Sequence, residues 1–267
     1  MQGMNSFWEA LLLTLLAGLS TGIGGMVVFF AKTIDTRVLA VSLGLSAGVM
    51  IYVSLVELLH EAAGLLSAAY GAKAGLLYAI LSFFGGILLI AVIDKLIPCD
   101  ENPHEIACPA DPGKRRDHAL RRTGLVTALA LGIHNFPEGM AAFVSASQSP
   151  RLAIPIIVAI AIHNIPEGIA VAMPIYCATG SRRIAMRYSI LAGLAEPLGA
   201  VICYFILLPF ISEVLYGVLF AVVAGIMVFI SLDELLPSAR IYGEHHLSMY
   251  GLVGGMAVMA LSLWLFV

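Results

Sequence analysis

Histidine, asparagine and glutamate recur in one frame at two places in the chain: His-Asn-Phe-Pro-Glu-Gly at 134–139 and His-Asn-Ile-Pro-Glu-Gly at 163–168. Imidazole nitrogen with amide and carboxylate oxygen suits borderline divalent ions such as zinc, iron, cobalt and manganese. Magnesium and calcium prefer all-oxygen shells. Neither motif holds a cysteine, so the set is not built for monovalent copper. His134 and Glu138 are four residues apart, as are His163 and Glu167, so each pair shares a helix face. Asn135 and Glu138 are three apart, as are Asn164 and Glu167, on a neighbouring stripe. Two facing helices can therefore build adjacent sites bridged by the same carboxylates, one His/Glu and one Asn/Glu. A third acid, Glu196 in Leu-Ala-Glu-Pro-Leu-Gly (194–199), again precedes a proline and supplies a further oxygen.

The elements that must position these residues follow from composition. The chain has 267 residues, 60% hydrophobic and only 12% charged, about half the charge of a soluble domain. Its apolar runs reach or exceed the ~18–20 residues that cross a hydrocarbon layer, and in lipid such runs satisfy their backbones only as helices. Polar breaks divide the chain into segments at about 6–30, 38–59, 75–97, 123–145, 152–176, 184–208, 213–236 and 248–267. The expected fold is an all-α integral membrane protein with eight transmembrane helices, a single polytopic domain over 1–267. The first segment reads as a span, because no Lys or Arg precedes Lys32 and the run is too long for a secretory signal. A net charge of −3 excludes a nucleic-acid binder.

Basic residues set the orientation. Twelve of the 14 Lys and Arg fall on one side of this arrangement, with only Lys73 and Arg151 opposite. By the positive-inside rule that side is the cytoplasm, and both termini face out. The long polar loop at 98–122 is then cytoplasmic. It carries Cys99, His104, Cys108 and His118 among acids, which offer a weak metal sink, but a charged loop without fixed structure is the simpler reading. The other two cysteines, Cys177 and Cys203, read as small buried side chains, and the loop pair needs no disulfide.

Segment midpoints place His134, His163, Asn164 and Glu196 near the bilayer centre, with Glu138 and Glu167 one turn away. A charged acid there costs about 2.5–3.5 kcal/mol on insertion scales, and no Lys or Arg lies in the central part of any span. Interhelical hydrogen bonding accounts for one such glutamate. Three glutamates with two histidines and two asparagines at one depth call for protons or a cation. Pro137 and Pro166 lack an N–H, which frees the carbonyls of Ile133 and Ile162 to line a cavity. Transporters build midplane sites in this way. Gly139 and Gly168 allow close packing.

The doubled motif in the fourth and fifth helices resembles the Zrt/Irt-like (ZIP) metal transporters. Ser-Ala-Gly-Val-Met-Ile-Tyr-Val-Ser-Leu-Val-Glu-Leu-Leu (46–59), Asp-Lys-Leu-Ile-Pro-Cys-Asp-Glu-Asn-Pro-His-Glu (94–105) and Ser-Leu-Asp-Glu-Leu-Leu-Pro-Ser-Ala-Arg (231–240) resemble its bacterial branch. The resemblance implies a metal pair: His134, Glu138, His163 and Glu167 at one site, with Asn135, Asn164 and Glu196 completing a second that shares both carboxylates. Met50, which composition alone assigns to core packing, matches a family position near the first site. Some members have an acid where Asn164 stands. The resemblance further implies a central inverted pair, helices four and five, enclosed by two three-helix units that move between outward- and inward-open states. The repeat itself agrees, since adjacent antiparallel spans carrying one motif form an inverted repeat. Also implied are uptake of Zn2+, with Fe2+, Mn2+, Co2+ or Cd2+, across a bacterial cytoplasmic (inner) membrane, and a homodimer.

Glu57, His60 and Glu61 share a face at the outer end of the second segment, where they either capture ions at the entrance or are simply solvated. Asp233 and Glu234, near the cytoplasmic end of the seventh, either assist exit or cap the helix. His245 and His246 read as solvated. No catalytic residue is expected. An intramembrane zinc metallohydrolase is the competing possibility, because His and Glu on a helix can bind zinc and activate water. Its usual His-Glu-x-x-His needs a regular helix, and here proline interrupts each motif and asparagine follows each histidine. A metal-sensing or proton-conducting membrane protein is the other alternative.

Overall fold

The computed structural model describes residues 2–30, 36–96, 132, 135–147, 150–207, 212–242 and 245–266. The loop at 98–122, with Cys99, His104, Cys108 and His118, lies outside the described residues, as does His134. The side chains of Cys177, Glu234 and His245 also lie outside them.

Every regular element among the described residues is helical. Helix α1 is Gln2–Phe30. Helix α2 covers 36–70, with α-helical Thr36–Tyr52 and Leu59–Tyr70 joined by a π turn at Val53–Leu58. Helix α3 is Ala72–Leu96, α4 covers 135–147 and α5 is Pro150–Thr179. Helix α6 covers 182–207, built from Arg182–Gly193, Ala195–Ile202 and a π turn at Cys203–Leu207. Helix α7 covers 213–242, with a π turn at Ser231–Leu235, and α8 is His245–Phe266. Six helices among the described residues are long and apolar enough to cross a membrane: Phe7–Val27, Ala40–Tyr70, Ala72–Lys95, Arg182–Ile206, Glu213–Asp233 and His246–Leu265. Helix α5 adds a shorter apolar stretch, Ile156–Ile169. Large apolar side chains such as Phe84, Leu88 and Trp264 are exposed on these helices, as they must be where the solvent is lipid.

Local chemistry sets the ends. Gly71 and Gly180 adopt φ of 82° and 64°, which side chains disfavour, and they terminate α2 and α5. Ser181 and Ser212 accept hydrogen bonds from the backbone N–H of Ile184 and Leu215, capping α6 and α7. Helix α6 is interrupted at Leu194 because Pro197 has no N–H to offer the Gly193 carbonyl four residues earlier.

Two helices run further than their hydropathy suggests. The second segment, expected to end near 59, continues to Tyr70, and the seventh, expected to end near 236, continues to Tyr242. The polar pair His60–Glu61 looks like a boundary in sequence. Alanine-rich helix-forming sequence follows it, and burial of Ala62 and Leu66 carries the helix on to Gly71. The π turns in α2 and α7 carry the same residues, Ser-Leu-x-Glu-Leu-Leu at 54–59 and at 231–236.

Packing sorts the described helices into two groups. In one, α1 lies against α5 and α6. The backbones touch where a side chain on Gly24 would meet Ile165 and Gly168, and one on Gly18 would meet Gly193. Helix α4 joins them through Gly139 against Glu196 and Gly199 against Phe136. In the other group α2 packs on α8, with Gly48 against Leu252 and Gly255 against Leu45, and α3 packs on α7, with Gly86 against Val222. Helices α2 and α5 meet across the groups. Small residues let helices pack in lipid, where no hydrophobic force draws them together.

Gly255→Val should therefore push α8 off α2 and lower the apparent melting temperature in detergent by about 5 °C or more. Gly254→Val, where an added Cβ meets nothing within 4 Å, should leave it within a degree or two of wild type. Equal melting temperatures for the two variants would mean that the α2–α8 approach is not a close one.

Candidate metal centre

Helix α4 delivers Asn135 and Glu138, α5 delivers His163, Asn164 and Glu167, and α6 delivers Glu196; all six are fully buried. Glycines bring these helices within reach of one another. Gly139 seats α4 on the backbone of Glu196, and Gly168 seats α5 on Thr21 of α1. Pro166 sits inside the continuous α5, and Pro137 sits in the first turn of the described α4.

Glu138, His163 and Glu167 form the one group of His, Cys, Asp or Glu side chains, among the described residues, whose ligand atoms converge; they lie within 4.8 Å of one another. His163 Nε2 stands 3.1 Å from Glu138 Oε2 and 4.0 Å from Glu167 Oε1. Ligand atoms around a tetrahedral zinc sit about 3.4 Å apart, from bond lengths of about 2.1 Å. The two separations bracket that value, so an ion fits with small side-chain adjustments. With its proton on Nε2, His163 donates to Glu138; an ion bound there replaces that proton.

Beside this group lies an oxygen-rich one. Asn164 Nδ2 donates to Glu196 Oε1 at 2.5 Å and to the Ala17 carbonyl of α1 at 2.9 Å. Asn135 Nδ2 donates to the Ala192 carbonyl at 3.3 Å. With both amide N–H groups so engaged, Asn135 Oδ1, Asn164 Oδ1 and Glu196 Oε2 remain buried and accept no hydrogen bond among the described residues. Buried acceptors without donors are costly, and a cation would satisfy them. Gly139, next to Glu138, packs on the backbone of Glu196, so the two groups adjoin one another.

The structure thus brings together six of the seven residues that carry the doubled motif and the third acid; the seventh, His134, lies outside the described residues. Met50 is fully buried in the main core on α2. Glu57 is half-buried within the π turn of α2, and His60 and Glu61 are exposed. Asp233 is exposed in the π turn of α7, which also contains Glu234. His246 is exposed and stacks on Tyr250, and Cys203 is a buried free thiol. Sequence reasoning missed Ser46. Its hydroxyl, fully buried on α2, lies 3.4 Å from Glu167 Oε1 and 3.5 Å from the His163 carbonyl. The available signal was its spacing: it lies one turn before Met50, on the same helix face.

Residues 98–263 match the family profile described as ZIP Zinc transporter. The chain is similar to the zinc transporter ZupT of Streptococcus mutans, 58% identical over 260 residues covering 97% of this chain and 98% of the relative. It is 54% identical to the ZupT of Clostridium perfringens over 279 residues, covering 99% of this chain and 98% of the relative. Against the ZupT of Oceanobacillus iheyensis it is 55% identical over 266 residues, covering 98% and 99%. Nearly full-length identity at this level, on apolar helices that enclose a His/Glu cluster, leaves one assignment: the chain is a multi-pass membrane protein and belongs to the ZIP zinc transporter family, a family of transporters rather than enzymes.

Proposed function

We propose that the protein carries Zn2+ into the cytoplasm through the buried centre formed by Glu138, His163 and Glu167, with His134 completing the first site. The observation that carries this reading is the convergence of two carboxylates and an imidazole at full burial. Asn135, Asn164 and Glu196 complete a second site that shares Glu138 and Glu167; the three buried oxygens without donors support it. With no thiolate, and with one amide where some relatives carry an acid, ions are held loosely enough to be released. Fe2+, Mn2+, Co2+ and Cd2+ are secondary cargo, since the same ligand set accepts them. Relatives named as zinc transporters favour zinc as the principal one.

The chain crosses the membrane eight times, α4 and α5 forming the central inverted pair, as a single polytopic domain. Both termini lie outside and the 98–122 loop is cytoplasmic, in a bacterial inner membrane. Met50 shares the face of α2 that carries Ser46 and stands by as a soft ligand. Glu57, His60 and Glu61 are 11 to 15 residues beyond Ser46, about 16–22 Å along the helix. That distance reaches the outer edge of a hydrocarbon layer about 30 Å thick, which suits ion capture at the entrance. Asp233 and Glu234 serve the exit side. Two copies form a homodimer. No observation favours hydrolysis, sensing or proton conduction.

In liposomes loaded with a zinc-sensitive dye, the wild type should give saturable Zn2+ entry, and Glu138→Ala and Glu167→Ala should each reduce it to the level of empty vesicles. Flux indifferent to both substitutions overturns the reading, and hydrolysis lost with transport intact would favour the enzyme. Orientation can be tested with native thiols: an impermeant maleimide added to intact cells should spare Cys99 and Cys108 and modify them only once the membrane is opened. Modification from outside would reverse the proposed topology.

A further inference from the structure

We propose that Ser46 is a positioning residue of the metal centre: its hydroxyl holds the Glu167 carboxylate while the site is empty and yields it to an arriving ion. Occupancy of the site is thereby sensed where α2 meets α5. The proposal rests on the metal-carrying role of Glu138, His163 and Glu167.

Ser46 belongs to the group of helices that supplies none of the carboxylates. Helix α2 packs on α8, whereas Glu138, Glu167 and Glu196 sit on α4, α5 and α6. Its hydroxyl nevertheless reaches Glu167 Oε1. That oxygen is also the one facing His163 Nε2, at 4.0 Å, and so is the atom an ion would engage. One oxygen therefore faces both the hydroxyl of α2 and the place an ion would take.

The geometry favours exchange. Good O–H···O bonds span about 2.5–3.0 Å, and the separations here are 3.4 Å to the carboxylate and 3.5 Å to the His163 carbonyl. A hydroxyl has a single proton, so it can serve only one of these acceptors at a time. An ion on Oε1 draws off the electron density that makes the carboxylate the better acceptor, and the proton swings to the His163 carbonyl. The α2–α5 contact then loses its charge-assisted bond and keeps a neutral one. By reciprocity, if the ion weakens that bond, the bond weakens ion binding by the same factor. Ser46 thus opposes loading, which suits a carrier that must let its cargo go.

The test is Zn2+ uptake by proteoliposomes containing the full chain, with Zn2+ binding to the purified protein measured by calorimetry. Ser46→Ala should lower KM and Kd about threefold or more, the scale of one modest hydrogen bond, without raising the maximal rate. Ser46→Thr, which keeps a hydroxyl, should restore wild-type values. Unchanged KM and Kd in Ser46→Ala overturn the proposal, as does a raised KM, which would mean that the hydroxyl orients Glu167 for the ion. Equal shifts in Ser46→Ala and Ser46→Thr would assign the effect to packing and overturn it too. If Glu138→Ala and Glu167→Ala abolish flux while Ser46→Ala changes nothing, only the role of Ser46 fails. If the glutamate variants still transport, the metal-site assignment itself is at fault.

Discussion

Three carboxylates buried at zero exposure set the terms for the rest of this molecule. Like charges in a low-dielectric interior repel one another, and each has lost its water. Among the described residues, His163 lies beside Glu138, Ser46 beside Glu167 and Asn164 beside Glu196. Such an arrangement is poor as a stabilising device and good as a vacancy for positive charge. Glycines at 139 and 168 fix α4 and α5 against their neighbours and keep the carboxylates from moving apart. The interior therefore resists the two easiest escapes, separation and solvation, and a cation there would relieve the crowding.

The polarity of the centre is also asymmetric. The buried carboxylates, imidazole and amides come from α4, α5 and α6, held to α1 by backbone contacts and by the Asn164 bond to Ala17. The opposite wall is α2, which brings the Ser46 hydroxyl to Glu167 and carries no carboxylate there. Charge is thus concentrated on one side of the α2–α5 contact, and the other side offers a neutral, easily exchanged bond. A cation entering between them would be held mainly by one wall, which lets binding and release follow from changes at a single interface.

Much of this was legible because charge is conspicuous in an apolar chain. His163, Glu138, Glu167 and Glu196 stand out against 60% hydrophobic residues, and the i,i+4 spacing of the motif carries geometric content before any fold is known. The helical class followed equally directly from run length. What hydropathy could not show is where a helix stops when its polar residues tolerate lipid headgroups, so α2 runs past His60–Glu61 to Tyr70. Nor could it show which helices pair, because almost every face is apolar and periodicity has no contrast. Ser46 was missed for a related reason: a lone serine in a membrane helix usually bonds its own backbone, as Ser231 does to Met227. The duplicated Ser-Leu-x-Glu-Leu-Leu was visible as letters, but its meaning, a π turn in each of two helices, depends on backbone hydrogen bonding that composition does not encode.

The close glycine contacts have a genetic side as well. At Gly18, Gly24, Gly48, Gly168 and Gly255 the facing atoms are main chain, which cannot rotate aside as a side chain can. Every missense change in a glycine codon introduces at least a Cβ, so at these positions the mutational spectrum contains no conservative replacement. Gly64 and Gly85, on the same helices as other close contacts, face open space and should drift freely. Two glycines a few residues apart thus differ in how much variation a population can carry, and sequencing of natural isolates would record that difference as silent-only change at one codon and ordinary polymorphism at the other.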